Sequence, residues 1–322
     1  MASPSRRIEE KVASLKAMER SAEPPDPAAL VEALRSKTGM LVAAAARIAA
    51  ARELRGLAPE LADAFERLSE KPLDRDPGCR GKLAVVKALR ALDAWEDGVF
   101  VRGVSFVQQE PVWGGREDVA AELRAECGMA FAHAGRADAL DVLADLLADP
   151  ERAARAGAAQ ALGDSGRPDA TALLRYKVRV GDAETEVLSA CLASLLALDP
   201  KGSVPFLASL LRGRDERAEA AALALGESRL AAARPHLVAW CEEGATPEER
   251  RRVGYLALAL LRDDEATAFL VRVVTEEDAA DALAAAKALA TFRDDPALAA
   301  RLREAAERRE PAVARAVAQA LG

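Results

Sequence analysis

The chain has 322 residues, of which 51% are hydrophobic, 4% aromatic and 30% charged, with a net charge of −7. Its apolar mass is mostly Ala and Leu, both strong helix formers, while the β-branched and aromatic residues that a large sheet needs are sparse, so the expected class is all-α. The negative balance excludes a surface that seeks nucleic acid as a whole, and no apolar run approaches the roughly 20 residues of a membrane helix.

In chain order, residues 4–20 read as an amphipathic helix with Ile8, Val12, Leu15 and Met18 on one face. Such a helix either folds back to cap the first repeat or offers its face to a partner. Residues 21–27, with Pro24-Pro25, mark a turn or linker. Residues 1–37 are thus expected to form an N-terminal helical extension, and 38–322 one continuous repeat domain. Asp-Pro occurs at 26–27, 76–77, 149–150, 199–200 and 295–296, where Asp can cap a helix and Pro suits its first position. Thr246-Pro-Glu-Glu249 reads as a capping box.

Asp93 to Arg116 departs from this pattern. It holds Trp95 and Trp113, Phe100 and Phe106, and four glycines, and Gln108 to Arg116 reads as a longer loop. Arg102, Gln108, Glu110, Trp113 and Arg116 are the candidate binding residues, with a structural plug as the competing reading of Trp113. Long loops of repeat proteins gather on one face and carry function.

From residue 117 onward the chain repeats. Leu162, Leu195, Leu225, Leu258, Leu289 and Leu321 recur every 30–33 residues, each after Ala or Ser. A second ladder runs through Leu143, Leu174, Leu207, Leu237, Leu270 and Leu302 with nearly the same steps. Two parallel ladders mean two helices per repeat: an Ala-rich first helix that allows close approach and a second that supplies larger side chains. A single pair cannot bury its apolar face, and stacking the next pair does so. The pattern resembles the HEAT family, and more narrowly the compact bacterial repeats of the phycobilisome-lyase type, which implies a right-handed α-solenoid of helical hairpins. Pro311 to Gly322 reads as a first helix with no second after it, a half repeat. Only Arg315 and Gln319 are polar between Pro311 and Leu321, so part of the Ala, Val and Leu surface is expected to pack on the preceding helix around Leu298 to Arg308. The rest, Val313 and Val317 included, is expected to stay exposed or to meet another molecule through weak self-association or partner docking.

The chemistry-bearing residues are few. Cys79, Cys127, Cys191 and Cys241 form no CxxC or CxxH pair, so buried free thiols in a reducing, cytoplasmic compartment are expected, with no metal and no cofactor. His133 and His236 are the only histidines and neither precedes Glu. HEAT-like deoxyhypusine hydroxylases hold iron through His-Glu dipeptides, and this chain has none. Arg175-Tyr-Lys-Val-Arg179 is a short basic run on a second helix, the side that lines the concave face in this family. Asp141, Asp145, Glu242 and Glu243 fall on second helices as well and would repel phosphate. The block from Asp76-Pro-Gly-Cys79 through Glu110-Pro-Val-Trp-Gly-Gly115 to Ala120-Ala-Glu-Leu-Arg124 is similar to one carried by bacterial HEAT-repeat proteins. The expected function is therefore a non-enzymatic protein- or peptide-binding scaffold using the concave face and residues 93–116. The alternative is a DNA-binding or repair protein of the HEAT-like alkylpurine glycosylase type.

Overall fold

The computed structural model describes residues 4–243 and 247–321. Contacts divide the chain into two compact units, one ending at Gly166 and one beginning at Arg167. Both are built from antiparallel helix pairs.

The first unit runs α1 (Pro4–Arg20), α2 (Pro27–Leu34), α3 (Gly39–Ala51), α4 (Ala58–Glu70), α5 (Pro72–Arg75), α6 (Arg80–Ala91) and α7 (Asp97–Gly103). A hairpin of β1 (Gln109–Val112) and β2 (Gly115–Asp118) comes next, then α8 (Ala121–His133), α9 (Ala139–Leu147) and α10 (Arg152–Asp164). Helices α3, α6, α8 and α10 stack in succession, and α4 packs on α6 and α7. Phe65, Phe100 and Phe131 fill the space between the layers. The amphipathic face of α1 folds back onto this core: Leu15 is buried, and Ile8, Val12 and Met18 pack against it. Of the two readings open to that helix, the structure takes the fold-back one.

The second unit contains α11 (Ala170–Val180), α12 (Thr185–Leu198), α13 (Pro200–Leu210), α14 (Glu216–Glu227), α15 (Arg234–Glu242) and α16 (Glu248–Leu260). It continues through α17 (Asp264–Glu276), α18 (Ala279–Ala290), α19 (Pro296–Glu307) and α20 (Pro311–Leu321). Helices α12, α14, α16, α18 and α20 form one stack. Both leucine ladders are buried, Leu143 and Leu162 in the first unit and the later rungs in the second: every one from Leu143 to Leu302, and from Leu162 to Leu289, is at most 1% exposed. The side chain of Leu321 lies outside the described residues, as does Thr246 of the expected capping box.

One expectation needs correction. Val313 and Val317 are buried, because α20 turns its apolar face onto α18 and α19. What α20 leaves exposed is mostly Ala and polar side chains, so the motive for self-association through this end is gone. Of the five Asp-Pro pairs, Asp26, Asp199 and Asp295 cap helices through their carboxylates. Asp76 and Asp149 also accept from backbone N–H groups, of Gly81 and Lys82 in the first turn of α6 and of Glu151 just before α10, and in addition enter ion pairs with Lys82 and Arg124.

Candidate functional site

The hairpin stands on a buried polar base to which three separate stretches of sequence contribute. The Asp76 carboxylate accepts hydrogen bonds from the backbone N–H of Gly81 (2.6 Å) and Lys82 (3.0 Å) and from Lys82 Nζ (2.9 Å). Both side chains of this pair are essentially inaccessible, at 1% and 0% exposure. Lys82 Nζ also lies 5.2 Å from the centre of the Phe106 ring, an electrostatically favourable contact in a dry setting. Cys79 sits beside them in the left-handed region with φ 56°, and burial pushes its thiol up to about 12.

Across the base, Asp118 ends β2. Its carboxylate accepts from the backbone N–H of Gln108 (2.9 Å) and Ala120 (3.0 Å) and from Arg124 (2.7 Å). Burial alone would raise this carboxyl, but those three donors outweigh it and hold it below the usual carboxylate range. Arg124 then makes a bidentate pair with Asp149 at 2.7 and 2.8 Å and donates to the Phe106 carbonyl. The fork geometry of arginine suits such a double contact.

Gln108 and Glu110 tie the two halves of the base together. Gln108 Nε2 donates to the Asp76 carbonyl (2.9 Å) and to Glu110 Oε1 (2.6 Å), and Glu110 Oε1 also accepts from the Gly78 N–H (2.7 Å). Gln108 is 2% exposed. These two candidates are therefore anchors, held by partners within the chain.

Above the base the strands pair antiparallel from Gln109 with Asp118 to Val112 with Gly115. The segment is a two-stranded hairpin where a loop was expected. Trp113 and Gly114 make its turn, and Gly114 adopts φ 90°, a conformation that L side chains rarely take. The Trp113 ring is wholly exposed, at 103% of its reference area, which excludes the plug reading. Val112, next to it, and Val107, just before the hairpin base, are exposed as well. Arg116 is exposed on β2 and reaches across to donate to the Gln109 carbonyl (2.9 Å). Arg102 lies on α7, exposed and paired with Glu66. Trp95, by contrast, stacks on Phe100, meets Phe131 edge-on and lies under Arg136, and Phe106 packs on Phe65, so three of the four aromatic residues of 93–116 are structural.

Lys82, Asp118 and Arg124 were not among the residues singled out for the site, because a buried lysine or arginine carries no local sequence mark. The available signal was the similar block itself, whose three pieces meet here. His133 is exposed at the end of α8, 3.7 Å from Asp93, and His236 is exposed on α15. Among the described residues, no three His, Cys, Asp or Glu side chains gather so as to hold a metal, and no helix is long and apolar enough to cross a membrane. All four cysteines are buried and free.

A family model described as HEAT repeats matches residues 115–179, from β2 through α11. Those residues match HEAT repeats, in line with the stacked helix pairs around them. No curated protein matches this chain. Among solved structures it is similar to human deoxyhypusine hydroxylase in complex with glycerol, at 18% identity and a TM-score of 0.33 over 81% of this chain and 96% of the other. It is also similar to an engineered protein, at 19% identity and a TM-score of 0.30 over 99% of this chain and 85% of the other. Nothing about activity passes from either to this chain at such low similarity.

Proposed function

We propose that this chain is a non-enzymatic scaffold that binds a protein or peptide through the tryptophan-tipped hairpin of its first unit. The carrying observation is the contrast between the two ends of that hairpin. Its base is fixed by two buried ion-pair systems and the Gln108–Glu110 links, while its tip holds a fully exposed Trp113. An exposed tryptophan adds nothing to the core and leaves a large apolar face in water. Trp and Arg are also the residues that most often dominate binding energy at interfaces. A rigid base means that little ordering has to be lost when a partner docks, which favours affinity.

In this reading Trp113 is the anchor, Val112 and Val107 extend its apolar contact, and Arg116 and Arg102 supply charge at the rim. Gln108 and Glu110 act only by holding the hairpin. No step of chemistry is assigned to any residue. Four buried, unpaired thiols fit a reducing compartment such as the cytoplasm. The test is affinity capture with the full chain, followed by calorimetry with the purified captured protein. Trp113→Ala should weaken that complex by about tenfold or more, the scale of a hot-spot truncation. An identical set of captured proteins and unchanged affinities with both Trp113→Ala and Arg116→Ala would overturn the reading.

A further inference from the structure

A second surface, on α11 in the other unit, has a different chemistry and does not depend on the hairpin. Arg175 and Arg179 lie four residues apart on one helix face, where like charges repel. Their guanidinium carbons both sit over the ring of Phe206 on α13, at 5.0 and 5.3 Å from its centre. Neither has a carboxylate within ion-pair reach among the described residues. Arg175 Nη2 donates to the Gly202 carbonyl (2.7 Å), and the Arg179 side chain is exposed. Three acids around the stripe are already engaged. Asp182 takes Lys177 at 2.8 Å, Asp215 takes Arg217 at 2.6 Å, and Asp199 caps α13. Beside this stripe runs a second one, also four apart: Tyr176 and Val180 are 69% and 64% exposed, among the largest apolar exposures in the chain.

We propose that α11 is a docking surface for an acidic, apolar peptide segment of a partner protein. A carboxylate of that segment would meet the arginine pair, and an adjacent apolar side chain would lie on Tyr176 and Val180. Charge complementarity selects the acid, since the ring holds two cations ready with no counter-ion of their own. It also disfavours a nucleic-acid backbone. Duplex binding rests on neutralising several phosphates in a row, whereas this cationic stripe is two residues wide and ends against Asp182 and Asp215.

The test is selection of short random displayed peptides on the immobilised full chain, with counter-selection on the Arg179→Glu/Tyr176→Ala double variant. Both substitutions are at exposed positions, so the fold stays intact. Peptides retained only by the unaltered chain should be enriched in Asp or Glu next to Leu, Phe or Trp. Their affinities should fall about tenfold or more when the acid is replaced by its amide or when Phe206→Leu removes the ring, and should not change in Trp113→Ala. Three results would each overturn the proposal: no α11-dependent peptide, α11-dependent peptides without an acidic excess, or single-stranded or duplex DNA that binds more tightly than any peptide and is lost in the double variant. Failure here would leave the hairpin reading untouched, because the Trp113→Ala capture experiment does not involve α11.

Discussion

Trp113 contributes no packing to the fold, whereas Lys82 in the base of the hairpin is enclosed by it, and the two should respond to mutation in opposite ways. Removing the exposed ring in Trp113→Ala should change the free energy of urea unfolding by no more than about 0.5 kcal/mol, the usual range at a surface site. Lys82→Met leaves the Asp76 carboxylate buried without its cation, and breaking a buried pair from one side costs about 3–5 kcal/mol. A loss of several kcal/mol in Trp113→Ala would mean that the ring packs after all. The thiols give a second expectation at this scale. Burial pushes Cys79, Cys191 and Cys241 up to about 12, and Cys127 well above its ordinary value for the same reason. Their folded values lie above the unfolded one of about 8.5. Their contribution to stability is therefore intact below that pH and is lost as pH rises toward about 12. A thiol-reactive chromophore at pH 8 should label no cysteine in the folded chain and all four after unfolding in guanidinium. Rapid labelling of one thiol in the folded state would show that it is accessible.

At the scale of elements, the second unit depends on how closely its first helices approach. A Cβ added at Gly226 on α14 would stand 2.3 Å from the Ala257 carbonyl oxygen and 2.7 Å from its Cα on α16. Both are backbone atoms, so no side chain can turn aside to make room. Gly226→Val should cost at least the 1–3 kcal/mol or so typical of overpacking and lower the thermal midpoint accordingly. An unchanged midpoint would mean that α14 and α16 separate freely. Ala257 is also the small residue preceding Leu258 in the ladder, so the sequence pattern already marked this contact. Periodicity exposes such features because every repeat restates the same packing rule. The hairpin was not legible in that way. Gln109-Glu-Pro-Val112 and Gly115-Arg-Glu-Asp118 show neither the alternation nor the β-branched content of strands. They pair because Asp118, Gln108 and Glu110 fix both of their lower ends to groups distant in sequence. The same long-range origin explains why Gln108 and Glu110, polar residues in an apparent loop, read as binding residues when their hydrogen bonds in fact run inside the chain. Trp113 was open between two readings, since exposure depends on a turn that composition alone does not specify.

For the molecule as a whole, the net charge of −7 predicts that duplex DNA binds no tighter than the non-specific range of roughly 10⁻⁴–10⁻⁶ M at physiological salt. Nanomolar affinity with a steep salt dependence would revive a nucleic-acid role. The distribution of buried charge leads to a further expectation. The Asp76–Lys82 pair and the Asp118–Arg124–Asp149 system both belong to the first compact unit, while the second is held by its Ala and Leu ladders together with partly buried pairs such as Arg251–Asp281. Repeat proteins gain stability mainly between neighbouring repeats, so damage at one place need not reach the far end. Lys82→Met should therefore lower the stability of the first unit and leave the second near its original value. Calorimetry of that variant should show two heat-absorption peaks, the lower one moved down from the unaltered protein. Limited proteolysis between the two peaks should then leave a resistant fragment from the C-terminal half, from about Arg167 onward. A single peak shifted as a whole, with no resistant fragment, would show instead that the two units unfold as one cooperative body and that the hairpin base stabilises all of it.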